Sequence, residues 1–320
     1  MIEFYGKKLN AFRANLHTHS TTSDGKFTPD EVMERYSAEG YDVMCMTDHY
    51  KTNRLADIDP HGMLLLSGVE LHPAGGRVVR SHMLCVNVPE DFVTEAMIAP
   101  PVPGENRMQQ LVDAVNAAGG LCYLAHPYWC GFRSEEIAAL HGLAGIEVYN
   151  TSTRYIGKAY NMQLWDELCD MGLRLPALAV DDVHRPHDLF GGWSVICCEE
   201  RTKTCIVSAL RSGSFYSTQG PGFKRISYVD GIFEAEFTPV TSAIGLINQC
   251  RGFCAGVPNF EGDGKTPEIT SCRFDVGELL DKLPSFLRGD YFRFQIIDAQ
   301  GRHAWTNPIP ISPRDGSGRA

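Results

Sequence analysis

The stretch Asn15-Leu16-His17-Thr18-His19-Ser20-Thr21-Thr22-Ser23-Asp24-Gly25 closes a short apolar run and carries two histidines at i and i+2. Side chains on an extended backbone alternate faces, so His17 and His19 point the same way and offer two imidazoles to one ion. Residues 20–26 are small, polar or glycine and read as a loop carrying Asp24. Thr28-Pro29-Asp30-Glu31 then supplies a capping Thr, a Pro at the first helical position and a Glu three residues after the cap. That signature predicts a helix to about Glu39, stopped by Gly40. Val43-Met44-Cys45-Met46-Thr47 is a buried-strand run ending in Asp48-His49. Strand end with ligand, helix, strand end with ligand is the rhythm of a βα barrel, whose chemistry collects at the carboxyl ends of its strands.

The pattern continues outward. A strand over residues 63–69 ends at Glu70, His82 opens another, Leu121–Ala125 ends at His126-Pro127, and Leu175–Val180 runs into Asp181-Asp182-Val183-His184. Helical spacing is predicted at Met108–Val115, from Ser134, around Leu164–Met171 and at about 204–211, and Trp193–Cys198 reads as a last barrel strand. After Gly213 short strands with turn signals follow one another, the last alternating along Tyr291–Ile297. Ten of the eleven histidines precede residue 188, and only His303 lies beyond. A single histidine is more often a satisfied core or surface residue than a ligand. His17, His19, His49, His82, His126 and His184 all adjoin predicted strand ends, with Asp24, Glu70 and Asp182 among them, and that grouping points to a metal cluster.

His17-x-His19, Ser23-Asp24-Gly25 and Thr47-Asp48-His49 together resemble the opening of the PHP (polymerase and histidinol phosphatase) family of metal-dependent phosphoesterases, relatives of the amidohydrolases. Ser67-Gly68-Val69-Glu70, Ala125-His126-Pro127 and Asp182-x-His184 are similar to its later motifs. The resemblance implies an α/β fold, a distorted (β/α)7-type PHP barrel over 1–213 with a small carboxyl-terminal β-rich domain over 214–312; the tail 313–320 is expected to be disordered. It further implies that His17, His19, Glu70 and Asp182 bind one metal, that Glu70 bridges to a second held by His82 and His126, and that Asp24, His49 and His184 complete a third site. Two or three divalent transition metal ions are therefore expected, Mn, Fe or Zn, since imidazole and carboxylate donors suit all three. Glu70, Asp182 and His184 are the expected catalytic residues.

Composition bounds the alternatives. Apolar content of 43% and charged content of 21% are ordinary for a globular protein. A net charge of −10 argues against extended nucleic-acid binding, which needs clustered Lys and Arg. Eleven cysteines form no C-x-x-C pair, and Cys45, Cys85, Cys122 and Cys169 lie in apolar runs, which suggests reduced core thiols and a cytoplasmic location. The first residues lack the apolar segment of a secretion signal, and no stretch approaches a membrane span.

A small anionic substrate, a phosphate ester, is the expected partner. Arg54, Arg154 and Arg185 fall in loops at the expected mouth and are the candidate substrate contacts. Asp48 and Asp181 adjoin ligands and read as carboxylates that orient them. His72 competes with His82 for the second metal, and His82 is preferred because its run matches the family. Glu147 reads equally well as structural, Tyr128 and Trp129 as stacking platform or core, and His61, His141 and His187 as surface. The expected reaction is hydrolysis by a water ionised between cations. Two alternatives stand beside it. Residues 211–221 and 298–308 resemble the ending of a PHP branch that includes hydrolases of aryl carbamates, so the same centre may be read as a carbamate, ester or amide hydrolase. The third reading is a metal-stabilised binding module without turnover.

Overall fold

The computed structural model describes residues 1–73, 81–99, 105–256 and 268–312; the expected disordered tail, 313–320, and part of the irregular Pro89–Asn106 stretch lie outside them. The first elements are strands β1 (Ile2–Phe4) and β2 (Lys7–Asn15), helix α1 (Pro29–Ala38), then β3 (Val43–Met46), β4 (Leu64–Leu71) and β5 (Met83–Val86). They are followed by α2 (Glu95–Ile98), α3 (Met108–Ala117), β6 (Leu121–Leu124), α4 (Pro127–Cys130), α5 (Ser134–Ala138) and β7 (Gly145–Asn150). Helix α6 (Met162–Asp170), β8 (Ala177–Val180), β9 (Trp193–Cys198) and α7 (Lys203–Ser212) complete the barrel region.

Helix α1 begins where the capping box places it: the Thr28 hydroxyl accepts from Glu31 N, and the Glu31 carboxylate accepts from Thr28 N. Strands β2, β3 and β4 pair in parallel, as do β6, β7 and β8. Strand β5 runs antiparallel to both of its neighbours, β4 and β6. Its reversal carries its amino-terminal end, and His82 before it, to the end of the barrel where the other strands finish. The barrel interior is filled by Leu16, Val43, Cys45, Leu66, Leu84, Leu121, Tyr123, Leu178 and Ile196, and helices α3, α5 and α6 cover the outer face of β5–β8. At the seam beside β8, serines stand in for a ladder: Ser217 Oγ accepts from Ala179 N at 2.8 Å and donates to Ala177 O at 2.6 Å. At the mouth, Asp182 N donates to His17 O and His19 N to Val183 O, closing the end of β8 onto the end of β2.

The remaining strands are β10 (Phe215–Thr218), β11 (Phe223–Val229), β12 (Ile232–Val240), β13 (Ser242–Asn248), β14 (Arg251–Ala255) and β15 (Ile269–Asp275), then helix α8 (Val276–Lys282) and strands β16 (Tyr291–Ile297), β17 (His303–Thr306) and β18 (Ile309–Pro310). Their core is aromatic, with Phe223, Phe233, Phe237, Phe274, Phe292 and Phe294 packed together. Strand β10 lies between β9 and β17, and β1 pairs in parallel with β11, so the β-rich part and the barrel share hydrogen bonds. Together these elements make a mixed α/β fold, a barrel of mostly parallel strands with a β-rich carboxyl-terminal part.

A buried ion pair joins the two parts. Arg293 on β16, 1% exposed in its side chain, makes a two-pronged contact with Asp166 on α6, Nε to Oδ1 at 2.7 Å and Nη2 to Oδ2 at 2.8 Å, and lies over the Trp165 ring. Removing one partner of such a pair strands the other charge, which costs about 3–5 kcal/mol when both are buried. Because Asp166 keeps 14% exposure, Asp166→Ala is expected to lower the unfolding free energy by about 3 kcal/mol, at the low end of that range. Urea denaturation with an unchanged m-value checks it.

Candidate metal centre

The mouth gathers the side chains singled out above. His17 and His19 follow β2, His49 follows β3, Glu70 lies near the end of β4, His82 precedes β5, His126 follows β6, and Asp182 and His184 follow β8. His17 Nε2 and His19 Nε2 are 3.1 Å apart. Each lies 3.2 Å from Glu70 Oε2, and they lie 3.2 and 3.1 Å from Asp182 Oδ1. All four residues are buried. Yet Glu70 Oε2 and Asp182 Oδ1 have no partner in hydrogen-bonding geometry among the described residues. The two carboxylate oxygens thus approach the imidazole nitrogens without hydrogen-bond alignment, and all four ligand atoms lie within 4.8 Å of one another.

The spacing fits a cation among them. Bonds of about 2.0–2.1 Å to nitrogen and oxygen arranged tetrahedrally place neighbouring ligand atoms about 3.3–3.4 Å apart, close to the separations found. Buried oxygens left unpaired in an apolar interior are costly, and a shared cation would satisfy both.

Glu70 offers its other oxygen to a second group. Oε1 lies 2.8 Å from His82 Nδ1 and 3.2 Å from His126 Nε2. The third group is more open: Asp24, with a side chain 57% exposed, lies 3.5 Å from His184 Nε2, 3.8 Å from His49 Nε2 and 3.9 Å from His19 Nδ1. The structure thus brings together every residue expected as a ligand. It also adds His72 beside His49 and His82.

Glu147, which the sequence left as equally structural, stands at the centre of the supporting network. Its Oε1 accepts from His17 Nδ1 at 2.6 Å, which fixes the tautomer and turns the Nε2 lone pair toward the group. Its Oε2 accepts from His126 N at 2.7 Å and from Asn150 Nδ2 at 2.9 Å, and the same Asn150 amide donates to Asp182 Oδ2 at 3.1 Å. His126 Nδ1 faces the Cys130 thiol at 3.6 Å. His126 and Asp182 both have positive φ, 26° and 53°, a conformation non-glycine residues hold only when their surroundings over-determine it; the Glu147 and Asn150 contacts do so.

Asp48 and Asp181 accept from backbone amides and from hydroxyl and amide side chains rather than from imidazoles. Asp48 accepts from Ser20 N, Ser20 Oγ, Ser23 N, Ser23 Oγ and Asn53 Nδ2, fixing the loop that carries Asp24. Gly25 is required there, since a Cβ would sit 2.7 Å from the His19 carbonyl carbon and 2.8 Å from Ser20 Cα. Asp181 accepts from Tyr36 OH, Thr151 Oγ1 and the amides of Phe190, Gly191 and Gly192. Trp129 sets its ring against His82 and His126 with centroids at 5.0 and 5.2 Å, bracing both. Arg185 is held by Asp188 and lies over Tyr155, Arg154 donates to His187 O, and Arg54 is paired with Asp57 on the exterior.

Burial alone would depress the imidazoles, but the carboxylates reverse this at the first group. His17 is raised well above its ordinary value by Asp182, Glu70 and Glu147, and His19 is raised to about 9 by the Asp182 and Glu70 carboxylates beside it. Burial likewise opposes ionisation of Glu70 and Asp182, yet the surrounding imidazoles hold both below the usual carboxylate range. His72, by contrast, is pushed down to about 3 by burial, with His82 beside it adding to the shift.

No family model matches the chain. A curated relative, the 3',5'-nucleoside bisphosphate phosphatase of Chromobacterium violaceum, is 31% identical over 133 residues, 40% of this chain and 46% of the relative. The match therefore spans less than half the relative's length. Among solved structures, a two-domain protein from Bacteroides vulgatus containing a predicted PHP-like metal-dependent phosphoesterase superposes with a TM-score of 0.53 at 14% identity, covering 95% of each chain. An amidohydrolase from Chromobacterium violaceum has a TM-score of 0.42 at 20% identity, covering 54% of this chain and 88% of the other. The resemblance drawn from the motifs holds in the fold, which is shared over nearly the whole chain with a two-domain protein that contains a PHP-like part. Among the described residues no helix is long and apolar enough to cross a membrane.

Two outcomes follow for the purified protein. Glu147→Gln leaves the fold intact but loosens His17, and is expected to weaken metal affinity about 10–100-fold, read by calorimetric titration. In the metal-free protein, the raised His19 contributes stability that is complete below its unfolded value of 6.5 and is lost as pH rises through about 9. The melting temperature in chelator should therefore fall across that range, while metal-saturated protein, its imidazoles already neutral, should not follow it.

Proposed function

We propose that this protein is a metal-dependent hydrolase that releases phosphate from a small phosphate ester, with the barrel residues 1–213 carrying the chemistry and residues 214–312 forming a supporting β-rich domain. The observation that carries this reading is the buried set His17, His19, Glu70 and Asp182, whose unpaired oxygens and convergent nitrogens suit a divalent cation. The local similarity to a nucleoside bisphosphate phosphatase supports a phosphate ester as the substrate.

His17, His19 and Asp182 would hold one ion, Glu70 would bridge it to a second beside His82 and His126, and Asp24, His49 and His184 would hold a third. Such ions, of Mn, Fe or Zn, supply Lewis acidity toward phosphoryl oxygens and lower the pKa of water toward neutrality. The protein's own part is positional. Glu147 and Asn150 fix His17, His126 and Asp182, Asp48 fixes the Asp24 loop, and the half-buried His184, its Nδ1 2.8 Å from Asp182 O, turns Nε2 toward the open side. Arg154 and Arg185 beside His184 would meet the anionic substrate, and Arg54 would join them only by leaving its exposed pair with Asp57.

The test loads the protein with Mn, Fe or Zn and offers nucleoside 3',5'-bisphosphates, other phosphomonoesters, phosphodiesters and aryl carbamates. Phosphate release should be abolished by chelation. It should fall on the order of a thousandfold in His17→Ala and Asp182→Ala, because several kcal/mol of charge stabilisation are lost at about 1.4 kcal/mol per decade. Carbamate cleavage without phosphate release, or bound metal without turnover, sinks the proposal.

A further inference from the structure

Glu70 and the residue two beyond it, His72, occupy the same face of the extended chain. The register of β4 against β5 pairs Glu70 with Leu84 and Leu71 with Met83, so the next step along the hairpin sets His72 opposite His82. Directly opposed residues share a face and touch, and the two rings are stacked with centroids 3.6 Å apart and planes 14° apart. His72 Nε2 lies 2.9 Å from His49 Nδ1, and that same His49 nitrogen lies 3.0 Å from Glu70 Oε2. On the other side of Glu70, Oε1 is 2.8 Å from His82 Nδ1. His49, Glu70, His72 and His82 each bring one donor atom to a cluster whose members all lie within 4.8 Å of one another.

We propose that His72 is a further ligand of the second cation position, beside Glu70, His82 and His126, with the Nδ1 of His49 facing the same group. This rests on the reading of the mouth as a metal centre. A hydrogen bond between His72 and His49 would engage only two of the four groups, whereas all four ligand atoms lie within 4.8 Å of one another and are the nitrogen and oxygen types that divalent transition ions take; the stacked rings of His72 and His82 would turn slightly apart to aim both nitrogens at the ion. It also gives His49 a double placement. Its Nδ1 faces the second position, while its Nε2 faces Asp24 of the third at 3.8 Å; a neutral imidazole has a single lone pair, so His49 serves one of the two positions at a time.

The bland alternative is that His72 is a packing ring, since it also lies edge-on to Tyr50 with centroids 4.7 Å apart. His72→Phe separates the two, because phenylalanine keeps the stacked ring and removes the nitrogen. Wild type, His72→Ala, His72→Phe and His72→Asp are reconstituted with Zn²⁺ or Co²⁺, dialysed against a weak chelator and counted for bound metal by elemental analysis, with the Co²⁺ absorption spectrum as a second readout. Circular dichroism of the metal-free proteins confirms that each is folded. The expected result is a loss of about one ion per chain in both the Ala and Phe variants, a changed Co²⁺ spectrum in both, and recovery of the count in the Asp variant, which restores a donor. A wild-type count in the Phe variant overturns the proposal and leaves His72 a packing residue. A wild type that retains no metal overturns this proposal together with the metal reading beneath it, whereas metal binding without phosphatase activity overturns the proposed reaction and leaves the assignment of His72 standing.

Discussion

The arrangement depends on one desolvated carboxylate. Glu70 is fully buried at the end of β4 and has nitrogens of His17, His19 and His49 about one oxygen and of His82 and His126 about the other, all within 3.2 Å. An ionised carboxylate in an apolar interior is tolerated only when opposite charge sits beside it. Asp182 and Glu147 are buried within reach of the same imidazoles, so the mouth holds a concentration of negative charge that something must offset. Protons on the imidazoles can do so, and so can divalent cations. The two compete for the same lone pairs, which makes the centre an exchanger of protons for metal.

That electrostatic demand explains why so much of the barrel's upper end is given over to holding backbone in place. Asp48 and Asp181 each collect five donors, most of them from loops. Their contacts restrain the segments 20–25 and 190–192 and thereby the ligands next to them. The left-handed conformations of His126 and Asp182 belong to the same pattern, in which local strain at the ligands is carried by the network around Glu147. A site built this way keeps its donors aimed before anything binds, which reduces the ordering that binding must impose.

Much of this was legible in the chain. The i, i+2 histidines, the capping box that opens α1 at Pro29, and the strand runs ending in His49, Glu70, His126 and Asp182 each follow from local rules. What stayed hidden depends on pairing between distant residues. Glu147 and Asn150 cooperate only because a register irregularity between Glu147 and Tyr149 breaks the alternation of β7, so period-two reasoning places them on opposite faces. His72 and His82 compete for one place when only the sequence is read, whereas the hairpin register sets them face to face. The reversal of β5, which lets a histidine before a strand join others after strands, has no local signal either.

The attachment of β1 has a consequence for the way the molecule comes together. Ile2–Phe4 pairs with β2 on one side and with β11 on the other, and Ile2 and Phe4 are buried among aromatic residues of the late strands. Strand β1 therefore stays unpaired along one edge until β11, more than two hundred residues later, has been made. Such long-range closure is slow and leaves an open strand edge in the interval. The barrel can gather its own strands meanwhile, but its outermost ribbon is sealed only when β11 has been added.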